Sequence, residues 1–489
     1  MSLSRSIVFL LLVFTALPAR GDVFTYRDKK GKTVTVEARL VASGQGQHVL
    51  ELADGQYRIV PQAVVSRREP KDPPPPLSPD KVMEQLKEEF GGDQLFRGRT
   101  DGHFVVGLIL SSALPKSSEK RANTCLRKAT KFMKAVEKNF LSFTRRMRIR
   151  TEKPTHPLVV LVFESDDDFE NYHRSISGGR GMSSGNVAGF YSPVTNWLVI
   201  RMTECFTFDT PLHEAIHQQV FNQHLLKRLA PTPAWFNEGI ATGFEGNGDS
   251  ISRGPAKVSL RYSKLASRAR TVTWPTLVKE DKAFRGNVFA GEAYTHAWGM
   301  HWLLVTKYKD EYAEYVEKLG MKEPLAEEKA NQRTSDFETA FGKSGKELQS
   351  DFPRALASAV KRQRLPADKQ NRTGEINVQT NLGDVTLASV SSARGDMVTE
   401  GVIRNISLIR PMTFHVVALT SSGQYAEWLI KDLGINKTAK LSRQAATKRA
   451  IGSRGGPSRS FRLVVKSAAP DSREAKLWEA GETPRPRAQ

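Results

Sequence analysis

His213-Glu214-Ala215-Ile216-His217 is the stretch of this chain that decides how the rest is interpreted. Two histidines four positions apart lie on the same face of a helix, one turn from each other. Their imidazoles can therefore converge on one metal ion, and Glu214 can reach a water molecule beside that ion. The spacing predicts a helix that carries a metal site.

The H-E-x-x-H pattern fixes only three positions, so it could also be a surface histidine pair on an ordinary helix. A third ligand is needed to distinguish a metal site from such a pair. Zinc hydrolases with this pattern add one carboxylate and leave one position for water. Glu238 lies 21 residues after His217, which leaves room for a turn at prolines 231–233 and a second helix that returns to the metal. Glu245, seven residues past Glu238, could share its helix face and is the alternative ligand.

The segment around Glu238 carries a resemblance to a known family. Residues 235–241, Trp-Phe-Asn-Glu-Gly-Ile-Ala, resemble the N-E-G-x-A element of gluzincins, the peptidase MA-like metallopeptidases. Gly189-Phe190-Tyr191, the metal helix, this element and Tyr294-x-x-x-Trp298 occur in the same order in a family of exported, poorly characterised peptidase MA-like bacterial proteins. The resemblance covers about residues 120–350 and implies a zinc peptidase core.

The roles expected of these residues follow from zinc chemistry. His213, His217 and Glu238 are predicted to bind one Zn²⁺, which lowers the pKa of a bound water toward about 7. Glu214 would accept a proton from that water and pass it to the leaving amine of a peptide substrate. Tyr294 is the first candidate for stabilising the oxyanion.

Each of the remaining candidates has a plain structural alternative. His296 is a second oxyanion candidate, whereas Tyr294 and Trp298, four residues apart, could equally be core residues on one helix. The strand at Ala188–Tyr191 could pair with an extended peptide substrate, or it could simply be the edge of a sheet. His301 and His224 are expected to be ordinary core or surface histidines.

The predicted fold class is multidomain α+β: a gluzincin-like zinc peptidase core flanked by an N-terminal small β-barrel and a C-terminal β-sandwich. Alternating apolar residues, prolines and helical periodicity place the boundaries. The predicted segments are a signal peptide at 1–21, a β-barrel at 22–68, a Pro-rich linker at 69–80, the peptidase domain at 81–365, a β-sandwich at 373–468 and a disordered tail at 469–489.

The N-terminal β segment resembles a second family. Arg27-Asp28-x-x-Gly31-Lys32, then Ala53-Asp54-Gly55, then Val60-Pro61 are similar to the Sla-type homology domain, an SH3-like barrel that serves as an interaction module. The prolines after it favour a stiff spacer, and a Pro-rich ligand for another domain is the alternative.

The N-terminus and the charge predict an exported, basic protein. Arg5, the apolar run from Ile7 to Leu17 and the small residues near Gly21 form a secretory signal peptide, with a retained membrane anchor as the alternative. No later segment is apolar enough to span a bilayer. A periplasmic, extracellular or envelope location is therefore expected.

The net charge of +21 favours anionic partners such as envelope polymers. Export and the lack of a nucleic-acid-binding signature argue against a specific nucleic acid. The basic residues near the C-terminus would supply the anionic-polymer surface, or they are a solvated face: Lys437, Lys440, Arg443, Lys448, Arg449, Arg454, Arg459 and Arg462.

Two points stay open at this level. The chain has only two cysteines, Cys125 and Cys205, and one bridge between them is as compatible with the sequence as two free thiols. Besides a zinc peptidase, the chain could be a non-catalytic envelope-binding protein with a peptidase-like core, or a zinc hydrolase of another amide or ester. The intact Glu214 favours an enzyme, because retired enzymes commonly lose the general base or a ligand.

Overall fold

A computed structural model of the chain describes residues 21–177, 188–206, 209–245, 254–266, 268–285, 290–329, 331–363, 375–391, 397–452 and 461–487. The chain forms two compact units, Met1–Pro76 and Leu77–Gln489. Residues 1–20 of the predicted signal peptide lie outside the described residues. Helices and several sheets together make this a multidomain α+β protein, as the sequence predicted.

The first unit contains one antiparallel sheet. Its strands are β1 (Gly21–Arg27), β2 (Thr33–Gly44), β3 (Gln47–Glu51), β4 (Tyr57–Pro61) and β5 (Val65–Lys71), in the order β4-β3-β2-β1-β5. Phe24, Ala38 and Leu50 are buried on its core face. Gly31 and Gly55 have φ of +77° and +83°, a left-handed backbone conformation that glycine adopts without steric cost. Closure into an SH3-like barrel stays a prediction.

A mixed five-stranded sheet forms the centre of the second unit. Its strands are β6 (Phe96–Asp101), β7 (Phe104–Ile109), β8 (Leu158–Phe163), β9 (Gly189–Tyr191) and β10 (Trp197–Arg201), in the order β6-β7-β8-β10-β9. The three central strands β7, β8 and β10 are parallel, and β9 pairs antiparallel with β10 at one edge. Strands β9 and β10 therefore form a hairpin.

Twelve described helices of this unit precede its C-terminal strands. They are α1 (Pro79–Glu89), α2 (Gly92–Leu95), α3 (Lys116–Arg146), α4 (Asp166–Ser177), α5 (Asp209–Asn222), α6 (Ala234–Phe244), α7 (Leu260–Ala266), α8 (Trp274–Lys279), α9 (Ala290–Lys307), α10 (Lys309–Gly320), α11 (Gln332–Phe341) and α12 (Gly345–Gln363). Because side chains alternate along β8, Val160 and Val162 pack with α3 and α5, while Val159 and Leu161 pack with α1 and α4.

The helix α6 lies directly against α9, and a glycine permits this contact. A Cβ atom on Gly239 would come within 2.7 Å of the backbone oxygen of Ala297 and 3.2 Å of His301 Cβ. Only glycine therefore allows the two helix backbones to approach this closely. The contact fixes the segment that carries Glu238 beside the helix that carries Tyr294.

Two four-stranded antiparallel sheets follow the helices, in the region predicted to be β. Their strands are β11 (Glu375–Thr380), β12 (Gly383–Ser391), β13 (Met397–Asn405), β14 (Met412–Thr420), β15 (Gln424–Leu433), β16 (Thr438–Ala445), β17 (Lys448–Arg449) and β18 (Phe461–Ala468). The strand orders are β11-β12-β13-β16 and β17-β15-β14-β18. Buried residues of both sheets belong to the same hydrophobic core as α3, α5 and α9.

A buried ion pair also joins these sheets to the helical part of the unit. Arg410 Nε lies 2.7 Å from Glu164 Oε1, and Arg410 Nη2 donates to Glu164 Oε2 at 3.0 Å. Ser111 donates to the same carboxylate oxygen through its backbone nitrogen and its hydroxyl. The predicted peptidase and β-sandwich regions thus share one compact unit.

The prediction of a disordered tail at 469–489 is wrong over its central part. Ser472 caps a helix, α13 (Arg473–Glu479), by accepting a hydrogen bond from the backbone of Ala475. Trp478 is 2% exposed and packs near His415. This segment is ordered because the ring of Trp478 is buried and the N-terminus of α13 is capped. Its composition alone predicts a disordered tail. Within the described residues, no helix combines the length and apolarity that crossing a membrane requires.

Candidate metal centre

Three side chains from two helices converge at one point. His213 and His217 lie one turn apart on α5, and their Nε2 atoms are 3.1 Å apart. Glu238 on α6 places Oε2 3.1 Å from His213 Nε2 and 3.6 Å from His217 Nε2. The structure therefore brings together the three residues that the sequence predicted as ligands, with all ligand atoms within 4.8 Å of one another.

These separations fit a tetrahedral ion with nitrogen and oxygen ligands. Ligands about 2.0–2.1 Å from a tetrahedral zinc lie about 3.3 Å from one another. The charge around the group also favours a cation, because two carboxylates, Glu214 and Glu238, face the same small pocket. No Lys or Arg is among the described residues that line it. A divalent ion would neutralise this buried negative charge.

The pKa values of His213 and Glu238 reflect the attraction between the histidines and the carboxylate. Burial alone would lower the pKa of His213, but its hydrogen bonds to Glu238 and Glu245 outweigh burial and raise it well above its ordinary value. Burial would raise the pKa of Glu238, but the nearby His217 and His213 hold it far below its ordinary range. Glu238 is therefore a carboxylate, the form that binds a metal.

Glu214 lies beside the cluster and is held by the edge strand. Its Oε2 accepts a hydrogen bond from the backbone nitrogen of Tyr191 on β9 at 2.8 Å. Burial raises the pKa of Glu214, while the charges of His213 and His217 oppose that rise. A carboxylate whose pKa is shifted toward neutrality is suited to accept and return a proton.

Glu245 is not positioned as the alternative ligand. The helix α6 ends at Phe244, so Glu245 leaves the face that Glu238 occupies. Its Oε1 lies 2.8 Å from His213 Nδ1, on the side of the imidazole ring away from Glu238. Tyr262 on α7 donates its hydroxyl to Glu245 Oε2 at 2.9 Å. Glu245 therefore orients His213, a contact that the sequence reading missed because the end of α6 was not evident.

Tyr294 on α9 lies at the pocket, as predicted. Its ring centroid is 6.1 Å from that of His213. Burial, reinforced by the charges of Glu238 and Glu214, raises the pKa of Tyr294 far above its ordinary value. The phenol consequently stays protonated and can act as a hydrogen-bond donor.

The other predicted candidates on α9 are core residues. Trp298 is fully buried and stacks on Tyr262 with ring centroids 5.9 Å apart. His296 accepts a hydrogen bond from Trp274 Nε1 at 3.1 Å. It is absent from the described residues that line the metal pocket, so the structure does not place it as an oxyanion partner.

Buried amides fix the metal helix to the sheet. Gln218 donates from Nε2 to the backbone oxygen of Val159 on β8 at 2.9 Å. Asn222 and Asn196 exchange hydrogen bonds at 2.8 Å, and the hydroxyl of Tyr191 donates to Asn196. The helix α5 and the strand β9 are thus held in one network, which sets the distance between Glu214 and the histidines.

The pocket beside the cluster is small, with a volume of about 200 Å³. Asn237, next to Glu238, also lines it. Its Oδ1 is buried and has no hydrogen-bond partner among the described residues.

Comparison with known proteins adds one finding. A family model described as "Protein of unknown function (DUF1570)" matches residues 208–326. The matched segment contains the three clustered residues together with Glu214, Glu245, Tyr262 and Tyr294. No curated protein matches the chain.

Proposed function

We propose that this protein is a zinc-dependent peptidase of the gluzincin type that acts after export to the cell envelope or beyond. The observation that carries the proposal is the convergence of His213, His217 and Glu238 on one point with Glu214 beside them. Two histidines and one carboxylate are the ligands of zinc hydrolases of this type, and the adjacent glutamate on the metal helix is their general base. The matched family model describes no function, so the proposal depends on the site.

The chain's own residues have separable tasks in this reaction. His213, His217 and Glu238 would hold the ion, which when bound would polarise the scissile carbonyl and activate the attacking water. Glu214 takes a proton from that water and delivers it to the leaving amine, so that water is added across the C–N bond. The hydroxyl of Tyr294 donates a hydrogen bond to the oxygen on which negative charge develops.

The edge strand favours an extended peptide over a small ester. Strand β9 is the last strand of its sheet and borders the metal pocket through Tyr191. An extended chain can pair with the open side of such a strand.

The test compares the purified full chain with its Glu214→Gln variant. Metal content is measured by plasma mass spectrometry, and cleavage is followed on a peptide library. We expect about one zinc per chain in both proteins, with cleavage reduced by about 10²–10⁴ in the variant. Glu314→Gln, an exposed glutamate on α10, is the matched control and should cleave like wild type.

The other outcomes are equally informative. A wild-type chain that binds no zinc after reconstitution overturns the proposal. Zinc with hydrolysis of acyl esters or non-peptide amides alone would make the protein a different zinc hydrolase. Zinc with no hydrolysis of any of these substrates would favour a non-catalytic binding protein.

A further inference from the structure

A second and larger cavity lies away from the metal pocket. Its volume is about 650 Å³, within the range of about 300–1,000 Å³ that is usual for small-molecule sites. It is bounded by α3, by β8 and β10, and by the first turn of the metal helix at Pro211. Leu408, between β13 and β14, and Ile435, between β15 and β16, also line it.

The walls and the mouth of this cavity differ in chemistry. The inner wall is aliphatic and aromatic, with Val160, Val162, Ile200, Phe132 and Met133 among its residues. The exposed basic side chains that line it come from α3: Lys120, Arg121 and Lys128. None of the described residues that line the cavity is acidic.

Both cysteines of the chain line the same cavity. Cys125 on α3 and Cys205 after β10 are free thiols. Burial raises the pKa of Cys125 to about 11 and that of Cys205 well above its ordinary value. Thiols with these pKa values are protonated at neutral pH, as expected for groups that face apolar surroundings.

We propose that this cavity binds a single-chain amphiphile with an anionic head, such as a long-chain carboxylate. The apolar wall would bury the alkyl chain, and the cations of α3 would pair with the head. An acyl chain suits the site better than a peptide, because the inner wall is apolar and the backbone N–H groups of a peptide would lose their hydrogen bonds to water there. The inference is independent of the proposed peptidase activity.

The two thiols provide the test, since the chain has no other cysteine. The reduced full chain is treated with methyl methanethiosulfonate, and modification is followed by intact mass spectrometry with and without dodecanoate. We expect saturating dodecanoate to slow modification of both thiols by about tenfold or more, because bound ligand shields them. Dodecanol, which lacks the charge, should protect at far higher concentration only.

Charge reversal on α3 tests the recognition of the head. Arg121→Glu/Lys128→Glu should raise the dodecanoate concentration needed for protection by about tenfold. Arg127→Glu/Lys131→Glu makes the same change of net charge at two exposed α3 residues that do not line the cavity, and it should leave protection unchanged. Both pairs are exposed, so neither substitution removes core packing.

A third variant tests the wall. Ala129→Phe would fill part of the cavity and should abolish protection by dodecanoate, with circular dichroism as the check on folding. Three results would overturn the proposal: no protection by dodecanoate, equal protection by dodecanol, or equal effects of the two charge-reversal pairs.

Discussion

Glu245 orients His213 through Nδ1, and Tyr262 in turn fixes Glu245. Removing such a carboxylate from a metal-binding histidine typically weakens metal affinity by about 10–100-fold. We therefore expect Glu245→Ala to bind zinc more weakly by that factor, whereas Glu238→Ala should retain almost none. Competition with a chromogenic chelator measures both.

Two controls bracket this prediction. Tyr262→Phe keeps the ring against Trp298 but removes the hydroxyl, so its loss of affinity should be smaller than that of Glu245→Ala. Glu280→Ala, an exposed site, should have no effect. If Glu245→Ala were to empty the site while Glu238→Ala kept its zinc, the assignment of the third ligand would be wrong.

Tyr294 is expected to act chiefly on the transition state, although its hydroxyl also hydrogen-bonds to Glu238. Tyr294→Phe removes one hydroxyl from the pocket and leaves the three clustered residues in place. Loss of one oxyanion donor commonly costs about 10²–10³ in kcat. The variant should show that loss with unchanged zinc content and little change in KM, measured with the best peptide from the library. A loss of zinc would instead make Tyr294 part of the metal support.

At the scale of single residues, the sequence predicted the three clustered residues but not the side chains that orient them. His213 and His217 are four residues apart, and helix geometry alone places them together. The link from His213 to Glu245 and Tyr262 depends on where α6 ends and on the placement of α7. Neither feature follows from local spacing. His296, a candidate by position, proved to be a partner of Trp274 because α9 turns it toward α8.

Among the elements, the contact between α6 and α9 is the most sensitive to substitution. Gly239→Ala would place a methyl group 2.7 Å from the backbone oxygen of Ala297, which cannot move away as a flexible side chain can. We expect a loss of about 1–3 kcal/mol in the free energy of unfolding, measured by urea denaturation. Zinc affinity should fall as well, because Glu238 precedes Gly239.

A second glycine on the same pair of helices is the control. A Cβ atom on Gly291, near the start of α9, would meet nothing within 4 Å. Gly291→Ala should therefore be neutral or slightly stabilising. Equal destabilisation by both variants would mean that a cause other than the close approach of α6 and α9 determines the result.

The elements themselves were largely predictable, whereas their ends were not. The alternation in Thr33–Gly44 and the apolar run of Leu158–Phe163 predict strands directly. The helix Arg473–Glu479 was missed because Trp478 gains its burial from a distant strand. Strand patterns alone likewise gave no sign that residues 373–468 share a core with the helices.

At the scale of the whole molecule, the buried ion pair between Arg410 and Glu164 is expected to stabilise the fold only when both side chains are present. Arg410→Met would leave the buried Glu164 carboxylate without its cation. We expect a loss of about 3–5 kcal/mol in the free energy of unfolding. The double variant Glu164→Gln/Arg410→Met should lose less, since it leaves no buried charge. Additive losses would indicate that the two side chains act independently.

This loss should depend on pH in a defined direction. Burial raises the pKa of Glu164 in the folded chain, although Arg410 opposes that rise. Without Arg410, burial raises the pKa of Glu164 further. Protonation of Glu164 will therefore stabilise the folded variant relative to its unfolded state. Arg410→Met should therefore be less destabilised at about pH 5 than at about pH 8, as measured by the urea midpoint. A larger loss at the lower pH would contradict the assignment.

The shared core also has a consequence for how the protein is made. The helices that carry the clustered residues leave the ribosome before the strands of Glu375–Ala468 exist, yet both contribute to one core. Until synthesis has passed Ala468, this shared core lacks the buried residues that the strands contribute. The nascent chain therefore exposes part of its core in a partly folded state, the period in which chaperones are most needed.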